Sequence, residues 1–461
     1  MKSFDAIVIG AGQAGVPLAK KLAGAGWNTA LIEKRYVGGT CINDGCTPTK
    51  TLVASARMAY KAGNSQELGV EITDFNVDFK KIMARKAAVV KQFRDGATSG
   101  VEATAHLTLI IGDASFISNH TLKIRYNDGT SEELTAGHIF INTGASPVIP
   151  DTEGLKELNY LTSTSILELE EVPEHLLVVG GGYIGLEYAQ MFKRFGAEVT
   201  LLERSDRLMP KEDDDVCREL TDIFRSDDID ILIEAKALRY TSRSDGRIEV
   251  DVEIAGEKKV LTCSHVLVAS GRKPQTETLG LEHAGIVCDE HGHVQVNEFL
   301  ETNMQGVYAL GDVKGGPAFT HISYNDFVIV SKNLLEGAQC STINRQVPYC
   351  MFTDPQVGRI GITEMQAVEQ GLDFLVARIP MANVARAIEN GETRGFMKAV
   401  VDKETRLILG ATIVGEQGGE IMSILQMAMM GKITCDEIST TVFAHPLYAE
   451  SLNNLFLTIA E

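Results

Sequence analysis

Apolar and polar positions along this chain fall into short, strand-length apolar runs that end on glycine and lead into stretches with helical spacing. "FDAIVIGAGQAGVPLAKKLAGAGWNTALIEK" reads as strand, glycine turn, helix, strand. The same order recurs in "HLLVVGGGYIGLEYAQMFKRFGAEVTLLER". "ETNMQGVYALGDV" carries another apolar strand to Gly311 and Asp312. "INTGASPVIP" and "VASGRKPQT" are apolar strands that end in small residues and prolines, and they read as crossings between domains. A helical stretch is predicted around 50–104, and from about 345 "VPYCMF", "FMKAVVD" and "LILGATIVG" read as strands followed by helices. The run "EIMSILQMAMMG" is helical and apolar on too many sides to be exposed, which makes it core or interface rather than a metal-binding box. Strands alternating with helices predict an α/β chain.

The two glycine turns carry chemistry. Gly10, Gly12 and Gly15 form G-x-G-x-x-G, and Glu33 follows Gly10 by 23 residues. The first glycine makes the tight turn, the second lets backbone approach a pyrophosphate, and the third lets helix and strand pack closely. The helix start offers amides to phosphate, and the acid accepts from a ribose hydroxyl. Gly180, Gly182 and Gly185 repeat the spacing, with Glu203 again 23 residues after the first glycine. One chain thus carries two Rossmann-like dinucleotide-binding units, which suggests an electron relay between a hydride donor and a flavin. Glu203 favours a free 2′-hydroxyl, hence NADH, and the adjacent Arg204 keeps NADPH as an alternative. Asp312, at a strand's C-terminal end, is placed to accept from a flavin's ribityl hydroxyls.

Composition narrows the class. With 461 residues, 44% apolar and 23% charged, the chain is a globular protein of about two to four domains. A net charge of −19 argues against nucleic-acid or anionic-membrane partners. No window approaches a membrane span, and the N-terminus runs from a strand into a glycine turn, so a cytoplasmic location is expected. Of eight cysteines, Cys217, Cys263, Cys288, Cys340, Cys350 and Cys435 lack close partners in sequence and read as small core or surface residues. Cys41 and Cys46, in "GGTCINDGCTPTK", differ. Five positions apart they lie about 140° out of phase on a regular helix, and Gly45 supplies backbone freedom between them. Pro48 suits a first helical turn, and a helix start would stabilise a thiolate. Zinc would want two more close ligands. A redox couple beside a flavin is the better reading. "CDEHGH" at 288–293 offers Cys288, His291 and His293, yet a glycine between two strand-like runs makes it a hairpin tip.

These motifs resemble the flavoprotein disulfide reductases, the family of dihydrolipoamide dehydrogenase, glutathione reductase and mercuric reductase. The resemblance runs from Phe4 to about Phe456, through GGTCxNxGCxPxK at 38–50, GGGYIGLE at 180–187, the Asp312 strand and "AHPLYAE" at 444–450. It implies a flavoprotein pyridine nucleotide-disulfide oxidoreductase with FAD, NAD(P)H, a redox-active Cys41–Cys46 disulfide and a homodimer with shared active sites. Cys46 matches the thiol against the flavin and Cys41 the exchange thiol facing substrate. Lys50 matches the lysine by the flavin N5, Glu187 its carboxylate partner, and Tyr183 the gate over the nicotinamide pocket. His445 and Glu450 match the pair serving the partner subunit's cysteines as acid–base catalyst. The cofactor-binding positions implied are Gly10, Gly12, Gly15, Glu33, Gly39, Thr40, Lys50, Thr143, Gly144, Gly271 and Asp312, with Gly180, Gly182, Tyr183, Ile184, Gly185 and Glu203 in the second unit.

The expected domains are 1–148 for FAD, 149–270 for NAD(P), 271–344 returning to the FAD region, and 345–461 as an α+β dimerisation domain. For the electron acceptor, a disulfide or a metal ion is expected. "CINDGCTPTKTLV" and "AESLNNLF" look most like the mercuric-reductase-like branch that includes the reactive-chlorine-resistance flavoenzyme. "GPAFTHISYNDF" at 316–327 departs from the Ala-His-Lys-Ala type of run in dihydrolipoamide dehydrogenases, the alternative assignment, and Asp44 stands where an apolar residue is usual. The contrasting class is a redox-silent flavin- or NAD-binding partner protein.

Overall fold

The structure is a computed structural model that describes residues 2–459. The helices used below are α1 (Gly15–Gly24), α2 (Gly39–Asn43), α3 (Cys46–Gly63), α4 (Phe79–Glu102), α5 (Tyr183–Phe195), α6 (Asp214–Ser226) and α7 (Thr320–Glu336). The chain divides into two compact units. One comprises Met1–Thr51, Met83–Val148 and Gly271–Arg345; the other comprises Leu52–Ile82, Ile149–Ser270 and Gln346–Glu461.

In the first unit, parallel strands Leu107–Ile111, Thr29–Glu33, Lys2–Ile9 and Ser131–Ile141 lie side by side, and Val307–Ala309 pairs with the end of Ser131–Ile141. Strands Thr121–Arg125 and Asp113–Ser118 extend the same sheet antiparallel. The central strand is a continuous apolar run because it is covered on both faces: Ala6, Ile7, Val8 and Ile9 are all buried. Ile7 and Ile9 join one core with Ile139 and Ile141, while Ala6 and Val8 join another with Leu18, Leu22 and Leu31. This sheet delivers three strand ends, Ile9, Ile141 and Ala309, to one edge. The two crossing segments pair with each other, Ala145–Pro147 against Arg272–Pro274.

In the second unit, parallel strands Asp230–Leu232, Glu198–Leu202, His175–Val179, His265–Val268 and Leu161–Thr162 form the other Rossmann-like sheet. A three-stranded antiparallel sheet, Ala235–Ser242, Ile248–Ile254 and Glu257–Cys263, accompanies it. The C-terminal part is a five-stranded antiparallel sheet backed by helix Gly418–Gly431 and smaller helices. That methionine-rich helix buries Ile421, Met422, Leu425 and Ala428 but leaves Met427 64% and Met430 63% exposed, so it carries uncovered apolar surface in the single chain.

Residues 52–82 group with the second unit rather than with the residues that precede and follow them. The cause is electrostatic and aromatic. Arg57 pairs with Glu416, Glu392 and Asp354, Lys61 with Glu392, and Tyr60 lies under the guanidinium groups of Arg194 and Arg394. Phe79 meets the rings of Phe192 and Phe195 on α5. Charge pairs this far apart in sequence are invisible to pattern reading. Cys288–Val294 is a bridged turn in which Asp289 accepts from the amides of His291 and His293. Among the described residues no helix is long and apolar enough to cross a membrane.

One contact recurs in both units. A Cβ on Gly15 would lie 2.0 Å from the Gly10 carbonyl oxygen, and one on Gly185 would lie 2.0 Å from that of Gly180. Gly185→Ala therefore forces backbone, not a side chain, to move. We expect a cost of about 1–3 kcal/mol, read as a lowered thermal midpoint together with weakened NADH binding.

Candidate active site

Each glycine turn is built by the same means. Gly10 has φ +102° and Gly180 φ +118°, and a Cβ on either would strike the carbonyl of Asn142 or Ala269 at the end of the neighbouring strand. The acids then clamp the turns. Glu33 accepts from the amides of Ala11 and Arg35 at 2.9 Å, and Glu203 accepts from Gly181 at 2.7 Å and Ser205 at 2.8 Å. A carboxylate has lone pairs beyond these two bonds, so either acid retains acceptor capacity for a ribose hydroxyl.

Both turns fit a dinucleotide. Neither α1 nor α5 has a side-chain N-cap or an acid in its first turn, which leaves their amides facing outward for phosphate. A Cβ on Gly182 or Gly144 would enter open space, so ligand can come against backbone there. Gly39 packs so tightly on Gly12 that its Cβ would be 2.6 Å from the Gly12 Cα. Thr143 donates to the carbonyl of Gln275 at 2.8 Å, and the Gln275 side chain returns a bond to Thr143 at 2.8 Å. A Cβ on Gly271, at φ +126°, likewise meets nothing within 4 Å. Tyr183 and Ile184 open α5 half-buried, and Thr40 is exposed in α2.

Asp312 follows Gly311 in a tight turn after Val307–Ala309. Burial pushes its carboxyl above the ordinary range, with Arg272 and Lys314 pulling it back. A carboxyl there offers acceptor atoms for hydroxyl partners.

The cysteines occupy a helix break. Cys41 lies in α2, Asp44 ends that helix, and Cys46 is the first residue of α3. Gly45 serves by space rather than by an unusual φ: its Cβ would be 2.9 Å from the Thr40 carbonyl oxygen. The break lets the two thiols meet although no regular helix could join them. Hydrogen bonding to Cys46, then burial, then repulsion from a charged Cys46 push the Cys41 thiol far up, opposed by Thr320 and Lys50. Cys46 stands at the head of α3, where a helix's first amides favour a thiolate. The Cys46 sulfur lies 3.4 Å from the Thr320 hydroxyl, the first residue of α7. A thiolate can only accept, so in that state Thr320 donates.

Thr320 went unnamed in the motif reading. Its signal was the departure of "GPAFTHISYNDF" from the expected run. The conspicuous Asp44 is taken up by an ion pair with Arg35 and does not rank among the main influences on Cys41. Asn43 pins the same loop by donating to the carbonyls of Val37 and Gly39 while accepting from Arg94.

In the second unit, Glu187 is buried and accepts from the Phe352 amide at 2.8 Å. Lys50, one turn beyond Cys46, lies in the first unit, so each is placed within its own unit. His445 Nδ1 stands 2.9 and 3.1 Å from the Glu450 carboxylate oxygens, with the His445 side chain 69% exposed. The carboxylate fixes the ring through Nδ1, which leaves Nε2 as the nitrogen free of that pairing.

Comparison with known proteins agrees with this geometry. Residues 4–326 match the pyridine nucleotide-disulphide oxidoreductase family, and 347–456 match its dimerisation domain. The probable pyridine nucleotide-disulfide oxidoreductase RclA of Escherichia coli (strain K12) is 38% identical over 99% of both chains. A mercuric reductase of Staphylococcus aureus is 35% identical over 99% of this chain and 82% of its own. The solved Cu(II) complex of the HOCl-induced flavoprotein disulfide reductase RclA from Escherichia coli superposes with a TM-score of 0.91 at 38% identity, covering 99% of each chain. The chain belongs to the pyridine nucleotide-disulphide oxidoreductases, FAD-dependent enzymes that draw electrons from NAD(P)H.

Proposed function

We propose that this enzyme passes electron pairs from NADH through FAD to Cys41 and Cys46, and from these thiols to a thiophilic metal ion, copper(II) foremost. The observation that carries this reading is a thiol pair with Cys46 exposed and Cys41 part-exposed, in a chain that matches a copper-complexed relative along almost its full length. FAD, when bound, supplies the group that exchanges a hydride with the nicotinamide and an electron pair with the cysteines. The chain's residues do the rest. Thr320 and Lys50 hold charge on Cys46, Cys41 keeps the exchangeable proton, and the His445–Glu450 pair handles protons for the partner's thiols. Oxidation of the Cys46 thiolate and the Cys41 thiol to the disulfide releases two electrons, which reduce two Cu²⁺ to two Cu⁺, and one proton, which passes to solvent or to the histidine. The FAD-binding residues are those of the first glycine turn with Gly39, Thr143 and Asp312; those of the second bind NADH. The proposed setting is cytoplasmic, with the dimer formed through 345–461.

A second reading has a small disulfide as acceptor. It draws on the His445–Glu450 geometry, which suits protonation of a leaving thiolate. NADH oxidation measured against Cu²⁺, Hg²⁺, lipoamide and glutathione disulfide separates the two. We expect Cu²⁺-dependent turnover at least tenfold above the oxygen background and its loss in Cys41→Ser. Turnover confined to a disulfide would replace the first reading with the second, and no turnover with any acceptor would favour a redox-silent role.

The thiols should be distinguishable by spectrum. Cys46→Ser is expected to abolish the long-wavelength thiolate–flavin absorbance of the reduced holoenzyme, whereas Cys41→Ser should show it without reduction. The reverse pattern would exchange the two roles.

Coenzyme choice should follow Glu203. A 2′-phosphate brought near this carboxylate costs roughly 1–3 kcal/mol in a partly hydrated site. NADH is expected to give the higher kcat/KM, with the preference lost in Glu203→Ala. A wild-type preference for NADPH would mean that exposed Arg204 outweighs the acid.

A further inference from the structure

We propose that Asp326 is a positioning residue that ties the Asp312 turn to the head of α7, so that flavin retention and the ionisation of Cys46 depend on one buried carboxylate. This rests on the flavin–thiol reading above.

Asp326 is 0% exposed and lies on the second turn of α7. Its Oδ2 accepts from the Gly311 amide at 2.8 Å and lies 3.3 Å from Lys314 Nζ, while its Oδ1 accepts from Arg345 Nη1 at 2.6 Å. The two cations are themselves nearly buried, with side chains 7% and 13% exposed. A carboxylate held by two cations and an amide is fixed in place, and its removal strands two buried positive charges. These contacts do not reach solvent, and nothing in the proposed electron path uses them.

The residues they join do belong to that path. Gly311 sits at φ +72°, and a Cβ there would lie 2.9 Å from Ser323 Oγ and 3.2 Å from Asn142 Oδ1. The turn is therefore wedged between α7 and Asn142, whose amide nitrogen donates to the Gly10 carbonyl at 3.1 Å. Asp312, the next residue, takes its place from this wedge. Six residues before Asp326, the same helix begins at Thr320, 3.4 Å from the Cys46 sulfur. Six residues of helix span about 9 Å and move as a rigid rod. Whatever fixes Asp326 against Gly311 also fixes the reach of Thr320 to Cys46. Other charges around these groups are Lys50 beside the thiols and Arg272 beside Asp312.

The test compares Asp326→Asn and Arg345→Gln holoenzymes with wild type by two readouts. One is the FAD dissociation constant from flavin fluorescence. The other is the pH midpoint of the long-wavelength thiolate–flavin absorbance. For Asp326→Asn we expect FAD to bind at least tenfold more weakly and the midpoint to rise by at least half a pH unit. Arg345→Gln should shift both in the same direction, by about threefold in affinity, and it decides the matter if Asp326→Asn does not fold. Wild-type values for both readouts overturn the proposal. Weaker FAD binding with an unmoved midpoint overturns it as well, because Asp326 would then hold the turn without acting through α7. Failure of the underlying flavin–thiol reading looks different: wild type itself would show no such absorbance.

Discussion

The architecture depends on backbone lying against backbone. In both dinucleotide-binding units the third glycine of the turn has no room for a Cβ beside the first glycine's carbonyl, and the first glycine has none beside the next strand's end. That contact seats α1 and α5 directly on their strands and aims their first amides outward at one place. An acid from the end of the second strand then bonds the turn from beneath, Glu33 in one unit and Glu203 in the other. Each acid is thus a structural clamp that keeps acceptor capacity on the ligand side of the turn.

The redox pair shows a different economy. Ionising one thiol raises the difficulty of ionising its neighbour, so a close pair carries a single charge. The chain decides where that charge goes by geometry. Cys46 begins α3 and faces the beginning of α7, while Cys41 sits within a short helix and is half-buried. An asymmetric pair of this kind has one sulfur suited to exchange electrons with the cofactor and one suited to release or accept a proton with a substrate.

Much of this was legible in the sequence because local pattern and spacing encode it. Strand runs ending in glycine, acids 23 residues on, and the cysteine spacing each reflect a constraint within one contiguous stretch. Thr320, Asp326 and Arg35 escaped notice because their roles come from partners far away in the chain: Thr320 touches a residue 274 positions earlier. The helical insertion was visible as helix, but its grouping was not. Arg57 and Tyr60 look like ordinary surface residues until Asp354, Glu392 and Arg394 are folded around them. Asp44 is the converse case. It stood out by chemistry, and Arg35 neutralises it.

Acceptor identity was the least legible feature for a related reason. An exposed sulfur with a charged neighbour reacts with any soft electrophile that reaches it, whether a metal ion or a disulfide sulfur. Discrimination then falls to whatever stands over Cys41 and whatever delivers protons there. His445, exposed and held by Glu450, lies on the dimerisation domain rather than on the thiols' own unit, and the proposed proton transfer would come from there. A metal acceptor consumes electrons and needs no proton delivered to it, whereas a disulfide acceptor needs its leaving thiolate protonated. The two acceptor classes therefore place different demands on the dimer, although they draw on the same cysteines. The chemical difference between the two acceptor classes bears on the histidine's setting and on the approach to Cys41, while the glycine turns, the clamping acids and the thiol pair serve both alike.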